Sequence, residues 1–127
     1  MIFSIHACVS SGQGQGKTFI NYDWVKNQIH DNFGFTPYPG TLNLLLNSST
    51  TASFQLFKQT HEGLLIKSNS DECGSLCYPI LINNILGIVV IPQVPNYPNQ
   101  QLEIVAPVNL RKALFLEDGD EVELVFQ

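Results

Sequence analysis

The apolar runs of this chain are short, and all but one are spaced for extended backbone. The clearest pair is Cys77 to Ile82 and Ile85 to Ile91, joined by Asn83-Asn84. Asparagine tolerates positive φ, so two asparagines between two β-forming runs predict a two-residue hairpin turn. Further strands are expected over Ile2 to Val9, Thr18 to Ile20, Thr41 to Leu46, Phe54 to Lys58, Gly63 to Lys67, Leu102 to Val105 and Glu121 to Phe126. Asn47 to Ser53 reads as a polar loop, and Gln93 to Gln100 as a loop broken by Pro95 and Pro98. The exception is Val25, Ile29 and Phe33, which recur every four residues beside Trp24 and share one helical face. Asn21 stands where it can cap that helix, and Gly34 where it can end it in the left-handed conformation. Pro107 opens a short second helix, Val108 to Leu114. A parallel doubly wound sheet needs several long helices between its strands, and this pattern has none. A mainly-β compact barrel closed by hairpins, with one main and one short helix, is the expectation.

At 127 residues the chain is one domain, residues 1–127, with enough sequence for a single core. Its net charge is −5, and its six basic residues are scattered, so nucleic acid is not the expected partner. A phosphate ligand would have to be held by backbone groups and one or two cations. No apolar run reaches the ~18 to 20 residues of a membrane span, and Met1 to Ser10 reads as a first strand rather than a signal peptide. Cys8, Cys73 and Cys77 are odd in number and lack zinc spacing, which fits reduced thiols in a cytoplasmic protein. His6, His30 and His61 share no spacing with each other or with the cysteines, and nothing points to a nucleophilic triad.

Five stretches could carry chemistry. In Gly12-Gln13-Gly14-Gln15-Gly16-Lys17, alternate glycines let successive N–H groups converge on an anion, and Lys17 adds a charge. The segment is not a P-loop, since Ser11 stands where the first glycine is needed. It is not the dinucleotide fingerprint, since one residue rather than two separates Gly14 from Gly16. Taken alone it is either a phosphate cradle or a plain hairpin loop. Thr41 and Asn43 stand two apart on a strand and so share a face. They are either two oxygens for a hard cation such as Mg²⁺ or two polar residues on a wet face. Glu103 is an isolated acid in an apolar strand, facing solvent or bonding a ligand. Val108-Asn109-Leu110-Arg111 opens the short helix, and Arg111 is either an anion contact or a surface arginine. Leu116-Glu-Asp-Gly-Asp120 reads as a structural turn with Gly119 at its bend.

In this order the segments resemble the CTP-dependent, archaeal-type riboflavin kinases over nearly the whole chain. The resemblance rests on Ser11 to Lys17, on Gly34-Phe-Thr-Pro-Tyr-Pro-Gly-Thr-Leu-Asn43, on Leu102-Glu-Ile-Val-Ala-Pro107 with Leu110-Arg111, and on Leu116 to Asp120. It implies a six-stranded cradle-loop barrel and transfer of the γ-phosphoryl group of CTP to the 5′-hydroxyl of riboflavin, giving FMN and CDP with Mg²⁺. Gly12, Gln13, Gly14, Gln15, Gly16 and Lys17 would wrap the nucleotide, with Val108, Asn109, Leu110 and Arg111 touching it again. Thr41 and Asn43 would ligate the metal, and Glu103 would hold the flavin. No catalytic base is assigned, because positioning and electrostatics carry most of such a transfer. A monomer is expected, with no N-terminal DNA-binding segment of the kind many members carry. Two positions depart from the family pattern: Pro95 replaces its threonine, and Tyr97 replaces a common histidine. They leave two alternatives open, a kinase for a different small alcohol and a non-catalytic flavin- or nucleotide-binding barrel.

Overall fold

The computed structural model describes residues 2–11, 20–67 and 74–127. Within these the strands are β1 (Ser4–Ser10), β2 (Leu42–Leu45), β3 (Leu64–Ile66), β4 (Ser75–Ile82), β5 (Ile85–Pro92), β6 (Gln101–Val105) and β7 (Glu121–Phe126). The helices are α1 (Asp23–Phe33), α2 (Ser48–Thr60) and α3 (Leu110–Ala113). All pairings are antiparallel, in the order β3-β4-β5-β6-β2-β1-β7, and β4 also pairs with β7. That last pairing closes a six-stranded barrel of β4, β5, β6, β2, β1 and β7, and leaves β3 as an appended strand.

β4 makes closure possible by dividing one edge between two neighbours. Ser75 to Cys77 pair with β3, and Ile80 to Ile82 pair with β7. Pro79 sits at the handover, where its carbonyl accepts from Gln127 N at 3.0 Å. On an antiparallel strand a residue's N and O point the same way, so the N–H that proline lacks falls in the gap between the two neighbours. The β4–β5 turn is the expected one, with Asn83 at φ 46° and Asn84 at φ 66°.

Two apolar clusters lie on opposite faces of the sheet. Inside the barrel, Leu42 and Leu44 of β2 meet Leu102 and Ile104 of β6, with Ile5, Ile80 and Leu124 from other strands. Outside it, Val25 and Ile29 of α1 cover Ile66, Cys77, Ile88, Val90 and Val105. Burial pushes the Cys77 thiol up to about 12, so it stays protonated and inert. Gly34 ends α1 as expected, at φ 81° with its N–H on the His30 carbonyl. Asn21 does not cap this helix; Tyr22 takes the cap position and makes no side-chain bond. Of the expected strand Thr18 to Ile20, Thr18 and Phe19 lie outside the described residues, and Ile20 is helical rather than extended.

The largest correction is α2. The expected loop Asn47 to Ser53 and strand Phe54 to Lys58 form one 13-residue helix. Asn47 caps it, accepting from Thr50 N at 2.8 Å. Phe54 and Phe57, three apart, turn together into an aromatic group with Phe3, Tyr78 and Phe126, where the Phe3 and Phe57 rings stack at 4.4 Å. Serine and threonine are weak helix formers, so burial of these two rings carries the helix. The expected short helix is also shorter than Val108 to Leu114, because Asn109 caps it by accepting from Lys112 N at 3.2 Å.

A strand would put Phe54 and Leu56 on one face, whereas the helix buries Phe54 and leaves Leu56 64% exposed. Phe54→Ala should therefore cost about 3–5 kcal/mol and Leu56→Ala no more than about 0.5 kcal/mol in denaturant unfolding. Equal losses at both positions would contradict the helical packing.

Candidate functional site

The register of β2 against β6 builds the site. Leu42 lies opposite Ile104 and Leu44 opposite Leu102, all four turned into the barrel. Side chains alternate along a strand, so Asn43 and Glu103, also opposite each other, project from the outer face. Across the neighbouring strands their row continues to Val90 on β5 and to Ser10 on β1. Val90 belongs to the apolar cluster under α1, so Glu103 stands where the dry cover gives way to polar groups, and is only 1% exposed.

A carboxylate so buried needs partners. Tyr97 Oη donates to Glu103 Oε2 at 2.7 Å, and Thr41 Oγ1 donates to Oε1 at 3.3 Å. Burial, followed by the bond to Glu103 and its charge, pushes the Tyr97 phenol well above the ordinary tyrosine range, against a smaller opposing effect of Gln101. The phenol is therefore a fixed donor at any ordinary pH. The Thr41 hydroxyl, with its proton spent on Glu103, keeps its lone pairs for another partner. Asn43 Oδ1 is buried with no hydrogen-bond partner among the described residues. Buried amide oxygens are rarely left so, and Asn43 is the register partner of Glu103 and shares a strand face with Thr41. Two neutral oxygens near one carboxylate fit Mg²⁺, which takes oxygen ligands and draws the rest from water and phosphates. Among the described residues no cluster of three or more His, Cys, Asp or Glu offers a different metal site.

Thr41 also lines a hollow of about 140 Å³, walled by Tyr38, Gly40, Ala106 and the run Val108, Asn109, Leu110 and Arg111. The expected metal residue and the expected second nucleotide contact thus face one space. It has room for a phosphate group, not for a whole nucleotide. Tyr38, missed in the sequence, forms part of the wall: its N–H bonds the Ala106 carbonyl at 2.8 Å and its hydroxyl accepts from Asn109 Nδ2 at 3.1 Å. Its sequence signal is its place in the Gly34 to Asn43 motif, between Pro37 and Pro39.

The expected phosphate cradle, Gly12 to Lys17, lies outside the described residues. Its approach does not. Ser10 is the register partner of Asn43, so the chain leaves β1 toward Gly12 from beside the candidate metal site. There Arg111 donates to the Ser10 carbonyl at 3.1 Å and pairs with Asp118, and Asp118 accepts from Ser11 Oγ at 2.7 Å. The acidic turn is structural, as read: Gly119, at φ 92°, donates to the Val9 carbonyl, and Val9 N–H returns a bond to the Asp120 carbonyl, both at 2.8 Å. What the sequence did not disclose is that Asp118 ties Arg111 to the root of the glycine segment.

A second, larger cavity of about 400 Å³ opens between α2 and the loop 93–100, lined by Phe54, Lys58, Val94, Pro95, Tyr97 and Leu102 among others. Pro95 is exposed and Tyr97 half-buried on its wall. Lys58 lies 5.0 Å from the centre of the Phe54 ring, and burial lowers its pKa.

Residues 9–126 match the sequence model of the CTP-dependent riboflavin kinases, described as domain of unknown function DUF120. The chain belongs to the CTP-dependent riboflavin kinase family. Relatives named riboflavin kinase include one from Methanocella arvoryzae, 37% identical over 94% of this chain and 55% of its own length. Another, from Methanosarcina barkeri, is 35% identical over 95% of this chain and 55% of its own. A third, from Ignicoccus hospitalis, is 35% identical over 96% of this chain and 70% of its own. The chain spans about half the length of the first two. No described helix is long and apolar enough to cross a membrane.

The clasp has a pH signature. The bond from Arg111, then that from Ser11, hold the Asp118 carboxyl below the usual aspartate range. A carboxyl that titrates lower folded than unfolded contributes fully above about pH 4. Its contribution fades as pH falls through the lower folded value. An NMR titration should find Asp118 below an ordinary aspartate, and Arg111→Gln should raise it; an unmoved Asp118 in that variant would remove the clasp.

Proposed function

We propose that this chain is a phosphotransferase that moves the γ-phosphoryl group of CTP to the 5′-hydroxyl of riboflavin, giving FMN and CDP. The observation that carries this reading is the shared space between Thr41 and Val108 to Arg111, next to the unpartnered oxygen of Asn43. Its chemical identity follows from the family and from relatives named riboflavin kinase. The nucleotide's phosphates enter the hollow between Gly40-Thr41 and Val108 to Arg111, and Gly12 to Lys17 complete the enclosure. Arg111 is fixed for this by Ser10 and Asp118. Thr41 and Asn43 hold Mg²⁺, which neutralises charge on the phosphate oxygens.

The acceptor lies on the other side of Glu103, its ring system against Pro95 and Tyr97 in the larger cavity. That cavity is of the size that holds small ligands. Glu103 receives a donor from the flavin or its ribityl chain. With donor and acceptor held on the two sides of one strand pair, positioning and charge neutralisation supply most of the acceleration, and no general base is required. The enzyme works as a monomer in the cytoplasm.

Incubation with riboflavin, CTP and Mg²⁺ should yield FMN by chromatography. Riboflavin binding without nucleotide consumption would favour a non-catalytic flavin module, and CTP binding without riboflavin binding a kinase for another alcohol. Asn43→Ala should lower Mg²⁺-dependent turnover about 10- to 100-fold. Because the Asn43 oxygen is unpaired, the same change should cost no more than about 1 kcal/mol of stability and is expected to raise it. Full turnover, or a large loss of stability, would contradict the metal-holding role.

A further inference from the structure

Glu103 is the proposed acceptor contact, yet its carboxylate is already engaged. Tyr97 Oη reaches Oε2 at 2.7 Å, the length of a strong charge-assisted hydrogen bond. Thr41 holds Oε1 more loosely, at 3.3 Å. With Glu103 only 1% exposed, a ligand donor cannot occupy the position facing Tyr97 while the phenol remains there. Tyr97 does not come from the strand framework. It lies in the loop between β5 and β6, next to Asn96 at φ 65°, and its half-buried ring forms a wall of the 400 Å³ cavity. The residue that covers the acid is therefore the residue that borders the proposed acceptor space.

We propose that Tyr97 is an internal stand-in for the acceptor: its hydroxyl holds the Glu103 oxygen that an acceptor's hydroxyl or ring N–H takes over on binding. Tyr97 is thereby a specificity-determining residue. An acceptor binds well only if it supplies a donor that replaces the phenol, and an apolar molecule of similar shape would leave a buried carboxylate short of a partner. The exchange also sets affinity. Each binding event must first break the Tyr97–Glu103 bond, so the measured affinity is that of the open form reduced by its small population. No covalent bond changes and no proton is transferred; one hydrogen-bond donor replaces another. The inference rests on the reading of Glu103 as the acceptor contact, and the test separates the two.

Riboflavin binding is measured by quenching of flavin fluorescence for the unaltered chain, Tyr97→Phe and Glu103→Gln, with cooperative thermal unfolding as the control for folding. Tyr97→Phe keeps the ring and removes the competing donor, so riboflavin should bind about tenfold tighter or more. Glu103→Gln should weaken riboflavin by a similar factor. If Glu103→Gln binds riboflavin like the parent, the acceptor reading of Glu103 fails. If Glu103→Gln weakens binding while Tyr97→Phe leaves it equal or weaker, the stand-in role alone fails. Should Tyr97→Phe not fold, the unaltered chain labelled with ¹³Cζ-tyrosine still decides. Riboflavin should move the Tyr97 signal away from its carboxylate-bonded position, and an unmoved signal would overturn the proposal.

Discussion

The antiparallel pairing of β2 with β6 is the constraint on which the rest depends. Four large aliphatic side chains from these two strands, Leu42, Leu44, Leu102 and Ile104, are buried inside the barrel. A slip of one residue would turn all of them outward and drive Asn43 and Glu103 into the core, at a cost no fold of this size could absorb. The apolar core thus fixes the polar site without touching it. The pairing of β7 with β1 then brings the last turn of the chain up to the end of β1. Asp118 and Ser11, which stand 107 positions apart, share a hydrogen bond there.

Site and core also differ in how their groups are satisfied. Inside the barrel the clustered side chains are aliphatic or aromatic, whereas on the outer face the Glu103 carboxyl is 1% exposed and, among the described residues, the buried Asn43 oxygen has no hydrogen-bond partner. Thr51 Oγ1 and Gln55 Nε2 of α2 are also buried without a partner among the described residues, but at the β2–β6 pair the orphaned oxygen stands opposite a buried acid, and local violations of this kind concentrate where a fold serves a ligand. Val90 and the α1 cover explain why Glu103 is dry.

Those parts of the fold that depend on local chemistry were legible in the sequence. The Asn83-Asn84 hairpin, the Gly34 stop and the Gly119 turn each follow from a residue able to adopt positive φ, and each is present. The barrel class followed from counting short strands. The helix α2 was not legible. Its Ser and Thr run has little helical tendency, and the partners that bury Phe54 and Phe57, namely Phe3, Tyr78 and Phe126, are distant in sequence. The shared face of Thr41 and Asn43 was readable from their spacing, and their role from resemblance. The fate of Glu103 stayed open between solvent and ligand because it hinges on the path of a proline-containing loop. No periodicity reports that path, and it is the loop that delivers Tyr97 to the acid. Arg111 was likewise open, and Asp118 decides its orientation through a contact seven residues away.

One carboxylate serves two neighbours. Thr41, on the side of the phosphate hollow, and Tyr97, on the side of the larger cavity, both donate to Glu103. Under the proposed function, drawing one donor away would change the bonding left to the other, and the two halves would be linked through a single side chain. Linkage of this kind is reciprocal: the factor by which one substrate changes the affinity of its co-substrate must be matched in the opposite direction. In the proposed transfer the shared acid would then act as a thermodynamic hinge, and the ternary complex would be more than the sum of two independent dockings.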